Sequence, residues 1–287
     1  MNRSKRAKIA RETLKILEDG FYFNKRNERI NIEEELKYAV KHSIHYKPEM
    51  FNELFSKRDN ILNQDSSSSK TDFEVTNETT LGAVRRQINE GQENILCLNF
   101  ASAKNPGGGF LKGSGAQEES LARATGMYPC ISQMNAYYSS NKKYKSALYT
   151  DNMIYSPNVP VLRDDRDELL DAPVFTSIIT APAVNAKVVR NREPQNTPRI
   201  KPTMMRRIEK ILSLAIIYNH KILILGAWGC GVFKNNPSQV AEYFARYLMG
   251  KSDFSRFFNE VVFAILDKTK AKRNIAPFEE KFLNESG

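Results

Sequence analysis

Residues 105–119 read NPGGGFLKGSGAQEE, and no other stretch narrows the possible folds of this chain as much. Glycine gives up more conformational freedom on folding than any other residue, so the triplet Gly107, Gly108 and Gly109 gives up entropy that a plain connector would keep. In return the main chain can adopt positive φ and admit a close neighbour. A short spacer leads to Gln117, Glu118 and Glu119, and an apolar run, Ile95 to Asn99, comes before. A strand, a glycine loop and paired carboxylates together predict a backbone that wraps a polar ligand and brings acid groups to it. A phosphate loop of the Walker type is excluded. Gly108 and Gly113 have its separation, but Ser114 stands where its lysine would be.

A second glycine-rich turn follows residues 222–225 (ILIL), which predict a short buried strand. Gly226 to Phe233 (GAWGCGVF) comes next, then Asn236 as an N-cap and Pro237 at the first helical position. The order strand, glycine turn, helix start predicts main-chain N–H groups aimed at an anion.

The spacing of Gly107–Gly109 and Gln117-Glu118-Glu119 resembles the signature of the poly(ADP-ribose) glycohydrolases. Residues 75–80 (VTNETT), 121–130 (LARATGMYPC) and 149–157 (YTDNMIYSP) are similar to the bacterial-type branch, so the resemblance runs from the N-terminal helix to about Phe282. It implies a macrodomain-like α/β fold: a three-layer sandwich with a mixed central sheet and a helical N-terminal extension. It also implies hydrolysis of ribose–ribose O-glycosidic bonds from chain ends, with release of ADP-ribose and neither cofactor nor metal. By resemblance Glu119 is the general acid/base, Glu118 fixes a ribose hydroxyl, and Gln117 orients the glutamates or the substrate. Gly107, Gly108 and Gly109 close over the scissile ribose, and Asn99 and Asn105 are further sugar contacts. Gly229, Cys230, Gly231 and Val232 hold the diphosphate, and Phe233 packs on the distal ribose. Two other activities fit the same pocket: removal of single ADP-ribosyl groups, and binding of ADP-ribose without cleavage. A binding module has no use for an acid at the anomeric carbon.

The acid is required by the chemistry. Breaking the bond builds negative charge on the departing oxygen, and a carboxylic acid relieves it by protonation. Such an acid needs a raised pKa, from burial or from a neighbouring charge such as the adjacent carboxylate.

The rest of the chain fits this setting. Lys and Arg number 43 against 33 Asp and Glu, a formal charge of +10, which favours an anionic partner such as poly(ADP-ribose) or ADP-ribosylated macromolecules. Direct DNA or RNA binding is not expected. Cys97, Cys130 and Cys230 are too far apart in sequence for a metal motif and read as reduced thiols of a cytoplasmic protein. Cys230 reads as a small turn residue, not a nucleophile. The histidines His42, His45 and His220 accompany no triad or zinc motif. The basic start (Arg3, Lys5, Arg6, Lys8, Arg11) lacks the apolar run of a signal peptide, and no apolar stretch is long enough to span a membrane.

Two parts are expected: a helical extension over residues 1–70 and a catalytic domain over 71–287. Ile9, Ala10, Thr13, Leu14 and Leu17 form one face of a first helix that Gly20 stops, and a second helix is expected over Glu33–His45. The serine-rich stretch 63–70 reads as a mobile loop. Beyond it, strands are expected at Ile95–Asn99, Val174–Thr180, Ile222–Leu225 and Val261–Leu266. Helices are expected at Thr80–Glu90, Gln117–Tyr138 with a break near Pro129, Met204–Asn219 and Ser238–Met249. Residues 182–203, which include Lys187, Arg190, Arg192, Arg199 and Lys201, read as a solvated surface loop.

Overall fold

Apolar residues alternate between two faces along the two strands that follow the expected pattern most closely, and this alternation sets the layers. Ile95, Cys97, Ile222 and Ile224 belong to one buried cluster, while Leu96, Leu98, Leu223 and Leu225 belong to another on the opposite face. A strand with apolar residues on both faces has to be covered on both.

The computed structural model describes residues 1–65, 70–250 and 252–284. In chain order the elements begin with helix α1 (Arg3–Asp19), β1 (Phe21–Phe23), β2 (Arg29–Asn31), α2 (Glu33–Lys41), β3 (Ile44–Tyr46), α3 (Phe51–Gln64), β4 (Asp72–Thr76), α4 (Thr80–Asn89) and β5 (Ile95–Phe100). Next come α5 (Gln117–Ala124), α6 (Met127–Ser132), α7 (Asn135–Lys143), β6 (Met153–Arg163), β7 (Leu169–Ala181) and α8 (Ala186–Arg192). The last are α9 (Ile200–Ile217), β8 (Ile222–Leu225), α10 (Pro237–Leu248), β9 (Glu260–Ala264) and α11 (Ala276–Glu279). The main sheet has seven strands in the order β3-β6-β7-β5-β8-β9-β4. The five strands from β7 to β4 are parallel, and β6 and β3 are antiparallel additions at one edge. Helices α3, α9 and α10 cover one face, and α1, α4, α5, α6 and α7 the other. This is the mixed-sheet, three-layer α/β sandwich that the resemblance implies.

Several local expectations hold for the stated reasons. Gly20 closes α1 in the left-handed conformation at φ 76°. Asn236 caps α10 by accepting from the Gln239 amide, with Pro237 in the first turn.

Others are corrected. The second helix ends at Lys41, and the chain then enters β3, which pairs with β6. The N-terminal 70 residues thus supply an edge strand of the main sheet as well as helices. The helix expected over Gln117–Tyr138 is three. Its first break is Thr125, whose extended backbone bridges to Val161, and Pro129 sits inside α6 near its start. Residues 182–203 are largely helical: Asn185 caps α8, a 3-10 turn covers Pro194–Arg199, and Pro202 falls in the first turn of α9. Proline costs no hydrogen bond at a helix start, so a proline-rich stretch can be a series of such starts. Of the serine-rich stretch, Asn63 and Gln64 end α3, and residues 66–69 lie outside the described residues.

Candidate active site

In a sheet of this kind ligands bind beyond the carboxyl ends of the parallel strands. A cleft of about 520 Å³ lies there. It is lined by residues that follow β4 (Glu78 to Leu81), β5 (Phe100 to Ser102), β8 (Ala227, Gly229 to Phe233) and β9 (Ile265, Leu266), and by the start of α5. Gln117, Glu118 and Glu119 thus meet the 229–233 turn in one cavity, although over a hundred residues separate them.

The α5 side is built on hydrogen bonds. Gln117 bolts the helix start to β5: its Oε1 accepts from the Phe100 amide at 2.9 Å, and its Nε2 donates to the Leu98 carbonyl at 2.8 Å and to Thr80 Oγ1 at 3.1 Å. Glu118 is only 3% exposed. Its Oε2 accepts from the Ser102 amide at 2.7 Å and its Oε1 from Asn99 Nδ2 at 3.4 Å. Burial pushes the Glu118 carboxyl up to about 8, a rise that the adjacent Glu119 carboxylate adds to and the bonds from Ser102 and Asn99 oppose. Burial, more than the neighbouring charge, is therefore what holds this acid protonated. Glu119 is half-buried, and its Oε1 accepts from the Gly109 amide at 3.0 Å.

The glycine triplet is explained by that last contact. Gly107 and Gly108 have φ of 66° and 58°. A Cβ on Gly108 would stand 2.5 Å from Glu119 Oε1 and 3.2 Å from Glu118 Oε2, so both carboxylates crowd the same glycine. The triplet does not line the cleft directly; it shapes and holds the acid that does. Asn99 lies behind Glu118, fully buried, and donates also to Thr180 Oγ1 at 3.1 Å. It braces the glutamate and does not line the cleft. Asn105 is exposed, takes part through its backbone amide and carbonyl, and also does not line the cleft.

The opposite wall is made of main chain. Gly229 is left-handed at φ 75°, and a Cβ there would meet Ala183 Cβ at 2.5 Å and Asn235 Nδ2 at 2.6 Å. Asn235 ties the turn together, donating to the carbonyls of Val184 at 2.8 Å and Gly229 at 3.1 Å. The amides of Cys230, Lys234 and Asn235 are used within the turn. Those of Gly231, Val232 and Phe233 find no acceptor among the described residues, and a Cβ on Gly231 would meet nothing within 4 Å. Three successive free donors beside open space have the arrangement that suits an anion. Cys230 is buried, with its thiol pushed up to about 12 by burial, which fits a turn residue and not a nucleophile. Phe233 is half-buried, its ring centroid 6.0 Å from that of Tyr149.

Sequence reasoning missed several residues that hold this arrangement. Arg123, 4% exposed, donates to the carbonyls of Glu119 at 3.1 Å and Ser114 at 3.2 Å and pairs with Asp167 at 3.1 Å. It clamps the end of the glycine loop to the helix that carries Glu119. Arg207, fully buried, donates to the carbonyls of Leu148, Tyr149 and Pro182 and pairs with Asp151. It thereby holds the segment that presents Tyr149 to Phe233. Burial alone would raise the Asp151 carboxyl, but Arg207, Arg206 and Lys210 around it hold it well below the usual carboxylate range. Arg123 lies within the 121–130 stretch, and Arg207 bonds Tyr149 and Asp151 of the 149–157 stretch, but the sequence alone does not link either arginine to its partners. A further wall of the cleft is acidic, with Glu78, Asp164, Asp165 and Asp167. Among the described residues, no group of three or more His, Cys, Asp or Glu side chains is placed to hold a metal ion.

Fold and site together define a macrodomain-like hydrolase domain in which two carboxylates of one helix face a loop of free main-chain donors. Residues 10–164 match the family described as microbial-type PARG, catalytic domain. The chain belongs to that family. Its structure is similar to that of poly(ADP-ribose) glycohydrolase from Thermomonospora curvata, with a TM-score of 0.92 and 39% identity over 98% of this chain and 100% of that one. The same enzyme bound to the inhibitor ADP-HPD matches at TM-score 0.88 with 39% identity and the same coverage. Poly(ADP-ribose) glycohydrolase from Deinococcus radiodurans in complex with ADP-ribose matches at TM-score 0.81 and 41% identity over 88% of this chain and 98% of that one. No curated protein matches the sequence.

Proposed function

We infer that this protein is a poly(ADP-ribose) glycohydrolase that hydrolyses ribose–ribose O-glycosidic bonds, acts from chain ends and releases ADP-ribose. The activity follows from the family and from relatives solved with ADP-ribose or ADP-HPD. The observation that carries the residue roles is the meeting of Glu119 and the free amides of Gly231, Val232 and Phe233 in one cleft.

In this reading the diphosphate rests on those amides and Phe233 packs on the distal ribose, with Tyr149 behind it. Glu118, kept neutral by burial, can donate a hydrogen bond to a ribose hydroxyl without adding charge beside Glu119. Glu119 protonates the departing oxygen as the bond to the anomeric carbon breaks. As carboxylate it then takes a proton from the water that attacks that carbon, which restores the acid. Gln117 keeps the start of α5 fixed to β5, so the acid is held by a rigid element.

Among the described residues, no helix is long and apolar enough to cross a membrane. A cytoplasmic location is supported by three free, buried cysteines, and fractionation of the source cells checks it. Incubation with poly(ADP-ribose), followed by mass analysis of the products, tests the activity. Free ADP-ribose is expected from the first turnovers. Longer fragments without it contradict chain-end action, and bound but intact polymer makes the protein a binding module. Release from singly modified protein alone makes it a mono-ADP-ribosyl hydrolase.

A further inference from the structure

The first half of α1 carries Arg3, Lys5, Arg6, Lys8 and Arg11, with no acidic residue in its first turn. Cations at a helix N-terminus oppose the helix dipole, so they weaken the helix instead of supporting it. Arg3, Lys5, Lys8 and Arg11 are exposed, as is Lys112 on the neighbouring turn, and none of these has an acidic partner among the described residues. Elsewhere on α1 the exposed Lys15 pairs with Glu18 and Asp19.

This basic face is fastened to the catalytic loop. Arg3 Nε donates to the Lys112 carbonyl and Arg6 Nε to the Gly113 carbonyl, each at 2.7 Å. Gly113 packs so closely that a Cβ there would stand 2.0 Å from the Arg3 carbonyl oxygen. The turn they hold begins at Gly109, whose amide binds Glu119. An acid that protonates the departing oxygen stands between the bound unit and the rest of the chain. With Glu119 as that acid, the departing side of the scissile bond faces Glu119, and the Gly109–Gly113 turn and α1 stand behind this residue. The other basic stretch, around α8, lies on the far side: the Lys187 amide donates to the Phe233 carbonyl and Arg190 to that of Lys234, in the diphosphate turn.

We propose that the exposed cations of α1, with Lys112, form a binding surface for the diphosphate groups of polymer units beyond the scissile bond. This rests on Glu119 as the acid. The surface has no part in holding the terminal ADP-ribose.

The test uses the full chain with Lys5→Ala, Lys8→Ala, Arg11→Ala and Lys112→Ala combined. These side chains make no hydrogen bond that holds the loop, unlike Arg3 and Arg6, so the thermal midpoint should stay the same or rise. KM for long poly(ADP-ribose) should rise roughly tenfold at low salt. The slope of log KM against log salt should fall by up to about 3, at about 0.7 per contact as for single-stranded nucleic acids. ADP-ribose affinity by calorimetry should not change. Unchanged KM and salt slope would overturn the proposal. So would the same loss in an Arg192→Ala/Lys201→Ala variant with none in the first. If the wild type binds polymer but releases no ADP-ribose, the activity reading fails, and anisotropy of labelled polymer across the same salt series still tests the surface.

Discussion

The two glycine-rich loops of the cleft use glycine for different ends. In the 107–113 loop the glycines make room for protein: Gly108 admits two carboxylates, Gly109 binds Glu119, and Gly113 admits the main chain of α1. In the 229–233 turn Gly229 likewise admits Ala183 and Asn235, but Gly231 faces open space, and the amides from Gly231 to Phe233 have no acceptor among the described residues. One loop is satisfied within the fold and positions an acid. The other is left unsatisfied and offers donors to a ligand. Gly231 and Val232 are exposed and Phe233 is half-buried, so these three donors face solvent and are open to an anionic ligand.

Disruption should therefore act differently on the two sides. The largest stability effect is expected for Arg123→Met, which leaves Asp167 without its buried partner and releases Ser114 from α5. Breaking such a pair costs about 3–5 kcal/mol, to be read by denaturant unfolding. Gly229→Val should cost about 1–3 kcal/mol because it forces a branched residue to φ 75° against Ala183 and Asn235. Gly231→Val should leave unfolding within about 0.5 kcal/mol of wild type, the usual range for surface sites. It should still weaken ADP-ribose binding more than about tenfold, roughly 1.4 kcal/mol, by filling the space before the free amides. Equal destabilisation by the two substitutions would erase the distinction within the turn.

A further expected effect concerns pH. The folded-state pKa of Glu118 lies above the usual glutamate value of 4.5, at about 8, so the folded protein holds this proton more tightly than the unfolded chain. Its contribution should thus fall as pH rises from about 4.5 to 8. Glu118→Gln, which resembles the neutral acid in shape, should flatten that part of the stability–pH curve. An unchanged curve would show that Glu118 is ionised in the folded protein.

The contrast between the loops was only half legible in the sequence. The glycines, the Gln-Glu-Glu run and the Asn236–Pro237 helix start are local signals, and each lies where its spacing put it. Gly229 and Gly231 looked alike, because only tertiary packing gives one a crowded Cβ position and leaves the other open. Likewise, nothing local tells Glu118 from Glu119; their burial depends on Ser102 and Asn99 folding over one of them. Arg123 and Arg207 hide for the same reason, since most of their acceptors are carbonyls, which every residue has. Strand β6 was missed because Pro157 and Pro160 argue against a strand, yet a register shift between Ser156 and Val159, with Asn158 at φ 46°, absorbs the irregularity.

The most direct test of the account is Glu119→Gln, with polymer turnover and ADP-ribose affinity measured on the same preparation. Glutamine keeps an oxygen for the Gly109 amide, so the loop stays in place while the acid is lost. Turnover should fall by roughly 10²–10⁴ with ADP-ribose affinity retained. Turnover near the wild-type rate, or loss of ADP-ribose binding together with the fold, would show that Glu119 is not the acid and that the division of labour between the loops is wrong.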